Sequence, residues 1–223
     1  ATLTTEVRWA ELNVGAQLAT RPWSIPIGVA EATLGPSHLV VYEGEHVLVT
    51  GPARSGRTST LLTIATACRA ARPDATVIAV AGPRSPLGSG QEPLVDEVVP
   101  PANVGDRLEP LVDGAPGFVL VLVDDAESIE DVNGVLGRLS TSDRPDFLFA
   151  AAGRNDGIRS GYSHWSRPLR GSKLGVLLRP NTDLDGDILG TQLPRRAPVG
   201  MVTGRGYVVN SGESELAQIA LPR

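Results

Sequence analysis

Apolar residues in this chain occur in short runs separated by turn residues, and the period of each run predicts the element it forms. His46-Val47-Leu48-Val49-Thr50 reads as a strand, and Leu61-Leu62-Thr63-Ile64-Ala65-Thr66-Ala67 has the spacing of a helix extending over Thr58 to Ala71. Pro73-Asp74 ends that helix, and Thr76 to Val80 reads as a buried strand, so the three form a β-α-β unit followed by a loop from Gly82 to Gly90. Leu94 to Val99 predicts a further short strand and Val104 to Val112 a helix. Phe118 to Val123 is a run of six apolar residues, the pattern of a strand covered on both faces in a parallel sheet. A helix is expected over Ile129 to Leu139, a strand over Asp146 to Ala152 and another over Leu174 to Leu178. Gly206 to Val209 and Leu216 to Leu221 read as a closing hairpin around Asn210-Ser211-Gly212. Upstream, Trp23 to Val29, Leu34-Gly35-Pro36 and Leu39 to Val41 alternate apolar and turn residues, which predicts small strands along an antiparallel edge. Val7, Trp9, Leu12 and Val14 give residues 1–20 a weak amphipathic pattern, that of a short helix or an entering segment.

The length of 223 residues suits one α/β domain, and 25 glycines and 18 prolines predict many loops. A net charge of −5 argues against a generally basic nucleic-acid surface. The single cysteine, Cys68, excludes an intramolecular disulfide, fits a reducing compartment and falls where a small buried hydrophobe is expected. No apolar run approaches ~18 residues and the N-terminus lacks a signal pattern, so the chain is expected to be soluble. Because it begins at Ala1, it reads as a segment of a longer protein that carries any membrane part elsewhere.

The chemistry concentrates between the first predicted strand and helix, at Gly51-Pro52-Ala53-Arg54-Ser55-Gly56-Arg57-Thr58-Ser59. Gly51 and Gly56 stand at the spacing of the phosphate loop G-x-x-x-x-G-K-[ST], with Thr58 in the hydroxyl place and Arg57 where lysine is expected. Glycines let successive N–H groups turn around phosphate oxygens while the following helix points its positive end at the same anion. Thr58 would then ligate magnesium. Arginine keeps the charge of the missing lysine but replaces a compact ammonium with a wide planar fork, so phosphate binding is better supported than transfer. The alternative is a glycine-containing turn that binds nothing.

Asp124 and Asp125 end the apolar run from Phe118, at the sheet edge where ligands of open α/β sheets gather. In the phosphate-loop reading Asp124 supports magnesium and Asp125 orients water, which makes Asp125 and Arg57 the candidate catalytic residues. Alternatively these acids cap the following helix. Arg154 or Asn155, after the strand ending near Ala152, stands where a γ-phosphate sensor is found, although both also read as solvated loop residues. Asn181, Asp183, Asp185, Gly186 and Gln192 nearly follow a calcium-loop spacing, but the final glutamate is missing and Pro180 and Pro194 fit an acidic surface loop better. His38, His46 and His164 show no ligand spacing with Cys68 or with one another.

Four stretches together resemble the FtsK/SpoIIIE-like ATPase domains, especially the degenerate C-terminal ones of EccC-type ATPases of type VII secretion. They are IPIGVAEATLGPSHLVV from Ile25, HVLVTGPARSGRTSTLL from His46, VLVLVDDAE ending at Glu127, and GRGYVV from Gly204 with AQIALP from Ala217. The resemblance implies a RecA-like core with a mostly parallel sheet flanked by helices, and short added strands at both ends. It also implies ATP and magnesium as ligands and a single ATPase domain linked in tandem to others behind transmembrane helices, on the cytoplasmic face of the cell membrane. Gly51, Gly56, Arg57 and Thr58 fall in the Walker A places and Asp124 and Asp125 in the Walker B places. No one residue stands out as an arginine finger; Arg159, Arg167 and Arg170 are candidates. Expected partners are neighbouring ATPase domains and an exported protein, with nucleic acid not favoured. Three readings stay open: an ATP-binding module of weak or no activity, an interaction domain that lost the nucleotide, and, less favoured, an active DNA translocase.

Overall fold

The computed structural model describes residues 2–223. Among these residues one sheet contains ten strands: β1 (Trp23–Ala30), β2 (Pro36–Val41), β3 (Val47–Thr50), β4 (Thr76–Val80), β5 (Glu97–Val99), β6 (Val119–Val123), β7 (Phe147–Gly153), β8 (Gly175–Leu178), β9 (Arg205–Asn210) and β10 (Glu213–Ile219). Their order is β2-β1-β10-β9-β8-β3-β7-β6-β4-β5. From β8 to β5 all pairings are parallel, and from β8 outward to β2 all are antiparallel. The expected parallel core and antiparallel edge are therefore both present, and β9 and β10 form the expected closing hairpin.

Helices α1 (Arg57–Ala71) and α2 (Val104–Gly114) lie on opposite faces, which explains why the parallel strands read as continuous apolar runs. Along β6, Leu120 and Leu122 join the cluster that contains α1, whereas Val119, Val121 and Val123 join the one that contains α2. Thr63 of α1 donates from Oγ1 to the Ala220 carbonyl at 2.6 Å, so the C-terminal tail covers the helix. This second layer is why α1 buries more than one narrow stripe. Cys68 lies inside it as expected, and burial pushes its thiol up to about 12. The segment before β1 docks on the same tail: Trp9–Leu12 forms a single 3₁₀ turn, and Trp9 N–H donates to Leu221 O at 2.8 Å.

The helix expected over Ile129 to Leu139 is not continuous. A 3₁₀ turn covers Ala126–Ser128, and α3 spans only Val135–Leu139. Asn133 and Gly134 take φ of 65° and 67°, which breaks the helical path, and the Asp131 carboxylate caps the new start by accepting from Leu136 N–H at 2.7 Å and Gly137 N–H at 2.8 Å. Asp131→Ala should cost about 1 kcal/mol and lower the unfolding midpoint by roughly 2–4 °C in a thermal melt. The strand expected over Leu94 to Val99 is likewise shorter, because Glu92 to Val95 closes a turn first, with Val95 N–H donating to Glu92 O at 3.0 Å. Two short helices, α4 (Asn155–Ser160) and α5 (Arg167–Gly171), fill the path from β7 to β8.

Candidate functional site

The loop from Gly51 to Gly56 connects β3 to α1, and its shape comes from two left-handed positions, Arg54 at φ 60° and Gly56 at φ 105°. Gly51 has no room for a side chain, since a Cβ there would lie 2.3 Å from Ser55 Oγ and 2.9 Å from Leu178 Cβ. The loop carbonyls are held from outside: Gly204 N–H donates to Ser55 O at 2.9 Å and Thr203 Oγ1 to Arg54 O at 3.4 Å. Ser55 is fully buried, and its Oγ has no hydrogen-bond partner within the described residues. Thr60 N–H closes the first helical bond, to Gly56 O at 2.9 Å, so the N–H groups of Arg57, Thr58 and Ser59 precede any intrahelical acceptor. These three residues and Gly56 line a hollow of 300 Å³. Such a cradle suits an anion.

Topology brings the acids to this loop. One strand, β7, separates β3 from β6, and Asp124 at the end of β6 meets Thr58 at the start of α1. Thr58 Oγ1 donates to Asp124 Oδ2 at 2.8 Å, Ser85 Oγ donates to the same oxygen at 2.6 Å, and Asp125 N–H donates to Asp124 Oδ1 at 3.1 Å. Asp124 is only 3% exposed, and within the described residues no basic side chain pairs with it. A hydroxyl beside a buried, uncompensated carboxylate is a hard-oxygen donor pair of the kind magnesium takes when phosphate oxygens complete its shell. Thr58 and Asp124 thus fit magnesium, and the loop fits phosphate.

Arg57 is the departure. Its Nη1 donates to the Gly51 carbonyl at 2.7 Å and its Nη2 pairs with Asp125 Oδ1 at 3.0 Å, leaving the side chain 13% exposed. Asp125 itself sits at φ 50°, ψ 44° and is half exposed. The guanidinium therefore bridges the first loop residue and the candidate catalytic acid. A cleft of 470 Å³ opens beside this bridge, lined by Arg57, Asp124 and Asp125 and also by Arg84, Glu127 and Arg154. On the far side of the loop a smaller cavity of 170 Å³ lies between Gly56, Ser59 and Thr60 and the C-terminal tail at Ile219 and Ala220.

Of the two sensor candidates, only Arg154 lines the cleft, with its Nε 3.3 Å from Glu127 Oε1. Asn155 is turned away, donating to Asp185 Oδ2 at 2.7 Å. Arg159 is likewise occupied with Asp185 Oδ1 at 2.6 Å, and Arg167 and Arg170 lie on α5 rather than around the cleft. Asp185, 3% exposed, also accepts from Asn181 N–H at 2.7 Å. Three donors thus consume the carboxylate that the calcium-loop spacing singled out, and it serves to tie this loop to α4. Ser85, Arg84 and Glu127 were not singled out from the sequence. Their signal was available in part, since Arg84 and Ser85 follow β4 at the carboxyl edge of the sheet and Glu127 lies three residues beyond Asp124.

No protein-family model matches the chain, and no curated protein matches it. Solved structures do. The cytoplasmic domain of the Thermomonospora curvata type VII secretion ATPase EccC superposes with a TM-score of 0.73 at 20% identity, over 98% of this chain and 28% of that one. A structure of EccC ATPases 2 and 3 from the same organism, in complex with a signal sequence peptide, gives 0.72 at 20% identity over 98% of this chain and 44% of that one. The pCW3 conjugation coupling protein TcpA, in a monomer form with ATPγS, gives 0.68 at 13% identity over 100% and 72%. The chain thus spans less than half the length of the two EccC chains it matches. At these identities the likeness shows the fold, an α/β arrangement shared with these ATPases.

Proposed function

We propose that this chain is an FtsK/SpoIIIE-like, EccC-type ATPase domain that binds ATP with magnesium and turns it over weakly or not at all. The observation that carries this reading is Arg57, whose guanidinium spans from Gly51 O to Asp125 Oδ1 inside an otherwise complete phosphate cradle. Bound ATP would supply the γ-phosphoryl group and its charge. Residues Gly51 to Ser59 would hold the phosphates through backbone N–H groups, Thr58 and Asp124 would hold magnesium, and the 170 Å³ cavity behind Ser59 would take the apolar end of the nucleotide. Arg57 occupies Asp125 Oδ1, and an oxygen held by a guanidinium is not free to accept from an attacking water. Calorimetric titration of the purified chain with ATP and magnesium should give a dissociation constant below about 1 mM. Steady-state turnover should stay under ~1 per second, the low end for phosphoryl-transfer enzymes. Turnover at ordinary rates overturns the reading.

The Arg57–Asp125 pair also favours a second reading, because it gives the loop an internal counter-ion that needs no nucleotide. Absence of binding at millimolar ATP selects that alternative, an interaction domain that kept the fold.

In either case the work of the module is proposed to be recognition of a protein: an adjoining ATPase domain of the same chain or oligomer, or an exported polypeptide. The net charge of −5 disfavours a polyanion, and the EccC structure with a signal sequence peptide is a fold relative that holds a polypeptide. The module would act on the cytoplasmic face of the membrane, with anchoring supplied by other parts of a longer protein. No helix among the described residues is long and apolar enough to cross a membrane. Capture of candidate secreted substrates but not duplex DNA, at about 150 mM salt, is the expected result, and salt-sensitive DNA binding without a protein partner overturns it.

A further inference from the structure

The turn after β4 places a hydroxyl on the acid that ends β6. Ser85 is 6% exposed, and its Oγ donates to Asp124 Oδ2 at 2.6 Å, the same oxygen that accepts from Thr58. A hydroxyl carries one proton, and the Ser85 oxygen is already an acceptor for Leu87 N–H at 3.2 Å, so its proton is committed to Asp124. The backbone fixes this donor in place. Ser85 N–H donates to Gly82 O and Gly88 N–H to Ser85 O, each at 3.0 Å, and Leu87 anchors the turn in the core. Gly88 comes so near Gly82 that a Cβ would lie 2.1 Å from the Gly82 carbonyl oxygen, so the turn is set by close backbone contact. The hydroxyl is therefore preorganised before any ligand arrives.

We propose that Ser85 is a positioning residue for the magnesium complex of the nucleotide, an inference that rests on the ATP-binding reading above. By holding Asp124 Oδ2, Ser85 keeps that oxygen where the Thr58 proton can reach it, and a Thr58 hydroxyl whose proton points at Asp124 has its lone pairs free for the cation. Without Ser85 the buried carboxylate loses one of its two hydroxyl donors and is free to turn. The effect falls on magnesium, because the phosphate cradle is built from backbone N–H groups that Ser85 does not touch.

The test is calorimetric titration of the whole chain and of Ser85→Ala with ATP, once in excess magnesium and once in EDTA. In magnesium the variant should bind ATP about tenfold more weakly, within the range typical of outer-shell partners, while in EDTA the two proteins agree within about twofold. Ser85→Thr, which keeps the hydroxyl, should restore the magnesium-dependent affinity. If Ser85→Ala does not fold, Ser85→Cys, with a weaker donor of similar size, carries the same comparison. Equal weakening in both conditions marks a merely structural role and overturns the proposal, as does no weakening in magnesium. ATP binding by the unaltered chain that ignores magnesium sinks this role alone, whereas no binding in either condition sinks the ATP-binding reading and this role with it.

Discussion

Arg57→Lys should raise ATP turnover by about 10²-fold over the unaltered chain, the usual worth of one well-placed electrostatic contact to a transition state. The argument is geometric. The guanidinium reaches Gly51 O with one amino group and Asp125 Oδ1 with the other, at 2.7 and 3.0 Å. A lysine ammonium is a compact charge whose three N–H donors share one nitrogen, so it cannot span both acceptors as the fork does; it frees Asp125 and can follow charge as it develops on the γ-phosphoryl group. Asp125→Asn introduced on top of Arg57→Lys should then lower turnover again, because it removes the acceptor that the first change released. Steady-state hydrolysis measured beside calorimetric affinity separates chemistry from binding. An unchanged rate with preserved affinity would mean that another group limits the reaction, such as an arginine from a neighbouring domain, and would remove Arg57 as the cause of the weak activity proposed above.

The largest stability effect is expected at His46. β3 begins its pairing with β7 at Val47 opposite Ala150, and the His46 ring takes over one step earlier: Nδ1 accepts from Phe149 N–H at 3.1 Å and Nε2 donates to Ser142 O at 2.8 Å. These two bonds together fix the neutral tautomer with its proton on Nε2. Phe147 meets the ring edge-on at 5.5 Å between centroids. Burial pushes the pKa down to about 4, opposed by the bond to Ser142 and aided slightly by Arg21. His46→Ala leaves the buried Phe149 N–H and the partly buried Ser142 C=O without their partners and should cost about 3 kcal/mol at pH 7.

The pH dependence has a definite sign. The unfolded chain takes up a proton at His46 below its ordinary pKa of 6.5, while the folded chain does so only near 4. This contribution is therefore fully present above 6.5 and declines as pH falls through that window, by up to about 3 kcal/mol in total. Denaturant unfolding of both proteins from pH 7 to 4 should show the gap between them closing as the acid limb is approached. A constant gap would show that His46 stabilises only through packing.

The strand, glycine loop and helix around Gly51 to Ala71 were legible in the sequence because their signals are local: an apolar run, glycines at a fixed spacing and a helical period. The same is true of Val119 to Val123, whose unbroken apolar run requires cover on both faces, and of the β9–β10 hairpin, whose turn residues stand between its strands. The break between Ile129 and Leu139 had one local signal, the turn dipeptide Asn133-Gly134, which the apolar period overrode. The apolar spacing there is helical, and only the Asp131 cap with the left-handed Asn133 and Gly134 interrupts it. The site itself belongs to the tertiary structure. Thr58 and Asp124 are separated by 66 positions, and they meet because β7 alone lies between β3 and β6. Which of Arg154 and Asn155 enters the cleft depended on Asp185 claiming Asn155 from another loop. That Arg57 bridges Gly51 and Asp125, and that Ser85 secures Asp124, depended on segments that follow separate strands converging at one sheet edge. Sequence alone determined which residues could bind phosphate and metal, since donor chemistry is a property of each residue. Only the packed sheet decided which donors face one another, because strand order and side-chain direction are set by the whole core.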